Sequence, residues 1–245
     1  MLEIWYKGKH FYVEDDPARP DKKPSGVEKA IVNEIVAADH EWDFALDAFA
    51  GIGVSTYIYS KHARKVLALE RKESKFDILW QNVWPIDNIE VQHTDNVEFL
   101  KKVLREGMEP PDLIDLDPFG NVNAQLPLAL DWMKKGALLV TTGEIEGIYR
   151  KSPFGRKYHP EIEGRYIGKK AVMWAEEEFI PNLVQRYKDN HLRPVHFYIE
   201  PSSVRVVFEV GEFEFVGETK EKLANRPNYL DWFKNYANLF KRRES

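Results

Sequence analysis

Hydrophobic and polar positions follow two different periods along this chain, and the switches between them mark out its elements. Four apolar, β-branched segments, 43–50, 65–70, 89–95 and 112–117, read as buried strands, each ending in an acidic residue or a glycine-rich turn. Asp47, Glu70, Asp95 and Asp117 are 23, 25 and 22 residues apart. One strand plus one helix fills that interval, so the spacing predicts repeated βα units and a parallel sheet. Between the strands, Phe76, Leu79, Trp80 and Val83 fall at i, i+3, i+4 and i+7, and Val97, Leu100 and Leu104 at i, i+3 and i+7. Each set forms one apolar stripe of a helix. A further helix over 126–133 and a fifth strand over 137–142 continue the array.

The flanks carry signals of their own. Residues 2–6 and 10–13 read as strands of a hairpin turning at Lys7, Gly8 and Lys9, and a polar stretch over 14–24 follows. Ser25 and Glu28 then match a capping box, which predicts a helix to about Ala38. After the fifth strand comes an irregular segment, then a helix from about Ala171 to Asn190 that Pro181 is expected to kink. Strands over 194–200 and 204–210, joined at Pro201, Ser202 and Ser203, predict an antiparallel hairpin. A last amphipathic helix from Asn228 to about Arg242 would present Trp232, Phe233, Tyr236 and Phe240 on one side. The whole reads as an α/β chain: an N-terminal hairpin and connector over 1–24, one main domain over 25–212, and a C-terminal helical extension over 213–245.

Composition narrows the function classes. The 245 residues are 43% hydrophobic and 31% charged, with no apolar run of bilayer length and no leader-like N-terminus, so a cytoplasmic protein without a membrane partner is expected. With no cysteine, disulfides, thiolate metal sites and a cysteine nucleophile are excluded. The net charge of −5 argues against nucleic-acid binding by bulk charge, but not against a local basic site.

The sharpest local feature is the run D47-A-F-A-G-I-G-V-S directly after the first strand. Gly51 and Gly53 allow a tight turn and a close approach of backbone to ligand, and the helix that follows offers free N–H groups at its start. A G-x-G alone also occurs in dinucleotide-binding folds, where Glu70 would take a ribose hydroxyl. The acid ahead of the glycines, with acids closing the next three strands, resembles the class I S-adenosylmethionine-dependent methyltransferases over roughly residues 25–210. That resemblance implies a Rossmann-like seven-stranded sheet, mostly parallel with a C-terminal antiparallel hairpin, and S-adenosyl-L-methionine as cofactor. It implies that Asp47, Phe49, Gly51 and Gly53 wrap the methionine part, that Glu70 holds the ribose hydroxyls, and that Asp95 with Asn96 meets the adenine amine. Ser25 and Asp115 complete the expected cofactor set. A carboxylate accepts two hydrogen bonds at once, which suits a vicinal diol and an amine N–H alike. Asp95 equally fits an ordinary N-cap of the next helix.

At the end of the fourth strand stands I114-D-L-D-P-F-G. An acid followed by proline and an aromatic there is similar to the motif of amino-group methyltransferases, and the D-L-D-P-F-G form resembles the tRNA guanine-N2 dimethyltransferases. An exocyclic base amine is a poor nucleophile because its lone pair is delocalised into the ring. Hydrogen bonds to the Asp117 carboxylate and the Pro118 carbonyl would favour a pyramidal nitrogen and stabilise its growing positive charge, while Phe119 would stack on the base. A base within a helix would first have to be flipped out. Asp115 reads either as an orienting acid or as a buried strand-end acid bonded within the fold. Asp115 and Asp117 have no neighbouring His or Glu set to complete a divalent site, so no metal is expected.

Residues 149–170 hold seven Lys/Arg against two Glu, interleaved with aromatics. Arg150, Lys151, Arg156, Lys157, Tyr158, Arg165 and Tyr166 are the candidate RNA contacts, bases for phosphates and rings for stacking. A solvated loop with locally packed aromatics is the plainer alternative. The guanine-N2 family carries a tRNA-gripping C-terminal domain that has no counterpart after Glu212, so a different substrate is expected. Methylation of one exocyclic base amine, once or twice, is the leading expectation, with cytosine N4 in rRNA slightly ahead of guanine N2 in tRNA. The alternatives are an NAD-dependent oxidoreductase using Gly51, Gly53 and Glu70, and a non-catalytic RNA-binding or ribosome-assembly factor.

Overall fold

The computed structural model describes residues 2–13, 27–118, 120–143, 169–200 and 203–227. Strands β1 (Leu2–Tyr6) and β2 (Lys9–Val13) pair antiparallel, with Leu2 opposite Val13 and Tyr6 opposite Lys9. Helix α1 (Val27–Ala37) leads into β3 (Trp42–Asp47), α2 (Val54–Ser60), β4 (Ala63–Glu70), α3 (Glu73–Val83) and β5 (Ile89–His93). Then come α4 (Asn96–Glu106), β6 (Leu113–Leu116), α5 (Leu126–Trp132) and β7 (Gly136–Thr142). The described chain resumes at α6 (Lys169–Trp174), α7 (Ile180–Arg186), β8 (Arg193–Glu200), β9 (Ser203–Val210) and α8 (Gly217–Ala224).

The seven strands β3–β9 form one sheet in the order β5-β4-β3-β6-β7-β9-β8. β3 to β7 pair parallel, and β9 runs antiparallel between β7 and β8. Side chains alternate across this sheet with period two and build a core on each face. Leu46, Leu116, Leu138 and Val140 point to the side covered by α4, α5 and the α6–α7 segment, with Phe99, Leu100, Trp132 and Phe179. Ala45, Leu113, Leu139 and Val207 point to the other side, with Val36, Ile58, Tyr59 and Leu223. Every residue of β6 and β7 is buried, as central parallel strands covered on both faces require.

Chain order along the sheet reverses between β3 and β6. In an open α/β sheet that reversal opens a crevice at the carboxyl ends of the strands, where ligands bind. Asp47 and Asp115 lie in register with each other at that point. Both share the parity of Ala45 and Leu113, so they face α1 and α2.

The strands expected over 89–95 and 112–117 end at His93 and Leu116, and three larger differences stand beside these. β3 ends at Asp47 rather than running to 50, because the backbone is already turning: the Gly53 N–H donates to the Ala50 carbonyl at 2.8 Å. The expected kinked helix over 171–190 is divided into α6, a π-turn at Ala175–Phe179, α7 and a 3-10 turn at Lys188–Asn190. Pro181, second in α7, has no N–H for the i−4 carbonyl, and the ladder widens just before it. Helix α8, held in the core by Leu223 with Thr219 buried beside it, was not anticipated. The expected helix over 228–242 lies outside the described residues. Among the described residues, no helix is long and apolar enough to cross a membrane.

Gly136 opens β7 at φ +131°, where a Cβ would stand 1.9 Å from the Asp112 carbonyl oxygen. That carbonyl accepts from the Ala137 N–H at 2.9 Å and cannot retreat without loosening the strand start. Gly136→Ala is expected to cost about 3 kcal/mol or more, from strain and overlap together. At about 2–4 °C per kcal/mol for a chain of this size, the melting temperature should fall by roughly 6–12 °C or more. Thermal denaturation followed by circular dichroism checks this, and a shift under about 2 °C would show that the strand start yields easily.

Candidate functional site

The loop after β3 is shaped from three sides. Gly51 and Gly53 sit at φ +57° and +93°, and a Cβ on Gly53 would meet Leu79 Cδ1 at 2.8 Å and Val83 Cγ1 at 2.9 Å. Gly53 is therefore needed both for its backbone and for the packing of α3. Glu70, ending β4, accepts from the Gly51 N–H at 3.1 Å and the Lys72 N–H at 2.7 Å, one on each oxygen. Asn82 of α3 donates to the Ile52 carbonyl at 2.8 Å and exchanges hydrogen bonds with the backbone of Tyr12, tying β2 to the same loop. Asn96 donates to the Ala48 carbonyl at 2.9 Å and accepts from Gln125 at 3.1 Å. Phe49 is half-buried against the core.

Asp95 is the N-cap of α4, accepting from the Val97 N–H at 2.9 Å and the Glu98 N–H at 3.3 Å, and its other oxygen pairs with Arg71 at 3.2 Å. The capping alternative thus describes its present hydrogen bonds. Its side chain is still one-third exposed.

A polar cluster lies behind the loop, on the α1 and α2 side of the sheet. Arg205 of β9, 1% exposed, grips Asp115 bidentately, Nη1 to Oδ1 at 3.0 Å and Nη2 to Oδ2 at 2.9 Å. It also donates to Thr141 Oγ1 and to Asn33 Oδ1, each at 2.6 Å. Tyr59 donates to Asp115 at 2.6 Å and Asn33 to Ser55 at 3.0 Å. Asp115 is therefore held within the fold. Asp47, equally buried, accepts from Thr56 at 2.7 Å.

Asp117, just past the end of β6, is set differently. Its carboxylate is 22% exposed, ion-paired through Oδ2 to Lys29 of α1, with Arg205 Nη1 4.0 Å from Oδ1. Burial alone would raise its pKa, but Lys29, Arg205 and a hydrogen bond from Thr141 overcome it and hold the group below the ordinary range. Asp47 moves the other way, raised to about 7 by burial and by the neighbouring Asp115, against the Thr56 hydrogen bond.

The structure thus brings Asp47, Gly51, Gly53, Glu70, Asp115, Asp117 and Pro118 to one sheet edge. Ser25, Phe119 and the candidate RNA contacts Arg150, Lys151, Arg156, Lys157, Tyr158, Arg165 and Tyr166 lie outside the described residues. Sequence reasoning missed Lys29, Asn33, Tyr59, Thr141 and Arg205. Arg205 had left a signal, a lone arginine among valines in V204-R-V-V-F, and Lys29 and Asn33 had left another, polar positions i and i+4 on α1. A separate cleft of about 570 Å³ lies at the opposite edge, beside Asp43, Arg64 and Lys65. Arg64 pairs there with Asp43 and Lys65 with Glu90 at the surface. Among the described residues no group of three or more acidic or histidine side chains is placed to hold a metal ion.

Strand order, the antiparallel insertion of β9 and the site at the β3–β6 reversal together define the Rossmann-like fold of class I methyltransferases. The inserted β9 separates it from the parallel 3-2-1-4-5-6 order of dinucleotide-binding folds. No family model and no curated protein matches the chain by sequence. Among solved structures it is similar to Trm1 from Pyrococcus horikoshii with S-adenosyl-L-methionine, at a TM-score of 0.65 and 15% identity, covering 91% of this chain and 64% of that one. The tRNA m1G37 methyltransferase of M. jannaschii matches at 0.53 and 15%, covering 86% and 57%. The O-methyltransferase from Bacillus cereus in complex with SAH matches at 0.54 and 15%, covering 78% and 84%. At such identity the likeness concerns the fold.

Two outcomes follow from the burial of these charges. Asp115→Asn would leave the Arg205 guanidinium buried without its bidentate partner, at an expected cost of about 3–5 kcal/mol in urea unfolding. A loss below about 1 kcal/mol would mean that Asp117, 4.0 Å away, compensates. For Asp47 the sign is fixed by its raised pKa. Between about pH 4 and 7 the folded protein keeps a proton that the unfolded chain has released, so this group lowers stability as pH rises through that window and is level above it. Urea midpoints at about pH 5 and pH 8 should differ less in Asp47→Asn than in the parent.

Proposed function

We propose that this protein is an S-adenosylmethionine-dependent RNA methyltransferase that mono- or dimethylates an exocyclic base amine, cytosine N4 in rRNA being slightly favoured over guanine N2 in tRNA. The observation that carries this reading is Asp117: a carboxylate kept ionised, partly exposed, and fixed beside the glycine loop at the chain-order reversal. The cofactor fits the chain's residues. Glu70 keeps acceptor capacity on both oxygens for a diol, Gly51 leaves room over the loop backbone, and the buried Asp47 would gain from a cationic neighbour. The bound cofactor would supply an electrophilic methyl group on a sulfonium.

Asp117 would accept an N–H of the amine and stabilise the positive charge that grows on nitrogen as the new C–N bond forms and the C–S bond breaks. Its lowered pKa makes it a weak base, so it serves as acceptor and counter-charge while the departing proton passes to water. Pro118 would offer its carbonyl to the second N–H, and Phe119 a stacking face. The basic, aromatic stretch 149–170 would take the RNA backbone. Several fold neighbours act in other ways, the O-methyltransferase among them, so the acceptor is argued from Asp117 and not from the fold.

Asp117→Ala is expected to lower labelled-methyl transfer to RNA by at least about a hundredfold, with binding of S-adenosylmethionine by calorimetry retained. Nucleoside mass spectrometry of RNA from cells with and without the gene would then name the base and the number of methyls. Transfer that survives Asp117→Ala, or RNA with no altered base, would sink the reading.

A further inference from the structure

Lys29 is the charged side chain at this edge that the methyl-transfer reading uses only, together with Arg205, to keep Asp117 ionised. It stands on the first turn of α1, its side chain 29% exposed, with its ammonium on Oδ2 of Asp117. An ammonium has three donors, and one is spent on Asp117. Among the described residues no second hydrogen-bond partner takes the others. Asp117 likewise has roughly four acceptor positions, of which Lys29 and Thr141 use about two. What meets the solvent here is therefore an acceptor and a donor in contact, side by side.

We propose that Lys29 and Asp117 together read the edge of the target base, Asp117 accepting from the exocyclic amine and Lys29 donating to the unprotonated ring nitrogen beside it. The inference rests on the proposed function above. An amine and a ring nitrogen bonded to the same carbon present a donor next to an acceptor, the complement of this pair. Cytosine offers it at N4 and N3, guanine at N2 and N3, and adenine at N6 and N1. Uracil has no amine to offer and would set a carbonyl oxygen against the Asp117 carboxylate. Donation to the ring nitrogen withdraws electrons from the amine, so Lys29 gains nothing for the chemical step. Its role is recognition and positioning, and its effect belongs in KM. The contact with Asp117 keeps the pair neutral, which limits repulsion of the charge that grows on the amine.

The test measures labelled-methyl transfer from S-adenosylmethionine to total RNA at varied RNA concentration, for the wild-type protein, Lys29→Met and Lys29→Arg. Calorimetry with S-adenosylmethionine verifies that each variant is folded and loaded. Lys29→Met is expected to raise KM about ten- to a hundredfold, the worth of one charge-assisted hydrogen bond, with kcat changed less than about threefold. Lys29→Arg, which keeps the donor, should recover most of the loss. A second arm uses short RNAs carrying the target base or the deaza analogue that lacks the ring acceptor, 3-deaza for cytosine or guanine and 1-deaza for adenine. The wild-type protein should discriminate against the analogue, and Lys29→Met should not. An unchanged KM, a rise in kcat/KM, or a loss confined to kcat would overturn the proposal, since Lys29 would then be inert, a plug over Asp117, or merely its support. A wild-type protein that moves no methyl to RNA would instead sink the parent reading, and this one with it.

Discussion

The buried pair of Arg205 and Asp115 is the constraint on which this edge of the molecule depends. Removing two charges from water costs several kcal/mol per ion, and attraction offsets it only when geometry is good and the remaining donors and acceptors are satisfied. Here the guanidinium meets the carboxylate bidentately, Thr141 and Asn33 take further N–H groups, and Tyr59 and Asn33 fill Asp115. One strand end, β6, is thereby joined to β7, β9, α1 and α2. Among the described residues, Nε alone of the Arg205 guanidinium nitrogens has no hydrogen-bond partner, so the network orders the edge more than it deepens its stability. The antiparallel insertion of β9 beside β7 brings Arg205 level with Thr141 and within reach of Asp115.

With Arg205 committed to Asp115 and Lys29 to Asp117, the charges behind the loop pair off, and among the described residues Asp47 and Glu70 are the edge carboxyls without an ion-pair partner. Burial and the adjacent Asp115 raise Asp47 to about 7. A site balanced in this way accepts one more positive charge at little electrostatic cost, and an anion at considerable cost. That polarity fits a cationic cofactor better than the pyrophosphate of a dinucleotide, and it comes from residues on five elements rather than from the glycine loop alone.

Much of the scaffold was legible because strands announce themselves by composition and interval. The 23-, 25- and 22-residue spacing of terminal acids is a geometric repeat of the βα unit, and the G-x-G turn follows from the backbone angles it demands. Helix α8 was not legible. Its run G-E-T-K-E-K-L-A buries little beyond Thr219 and Leu223, too few positions to display a period. The partners of the acids were hidden for a different reason. Lys29, Asn33 and Arg205 lie 88, 82 and 90 residues from the acids they meet, and no local pattern encodes a contact made by sheet order. From sequence alone Asp115 fits both an orienting acid and a bound one, and Arg205 decides between them.

Three carboxylates within one strand end of each other have been given three environments, and the differences bear on which nucleophile the site suits. Asp115 is saturated by its partners. Asp47 is buried and titrates near neutrality, yet it lies on the inner face, bonded to Thr56. Asp117 alone combines exposure, spare acceptor capacity and a lowered pKa. Methylation of a hydroxyl asks for a group that will take its proton, and a carboxylate held low by Lys29 and Arg205 is poorly suited to that task. An amine asks instead for an acceptor that stays charged while positive charge builds on nitrogen. Lys29 and Arg205 together weaken Asp117 as a base and keep it ionised as an acceptor, which supports the proposed amine over a hydroxyl.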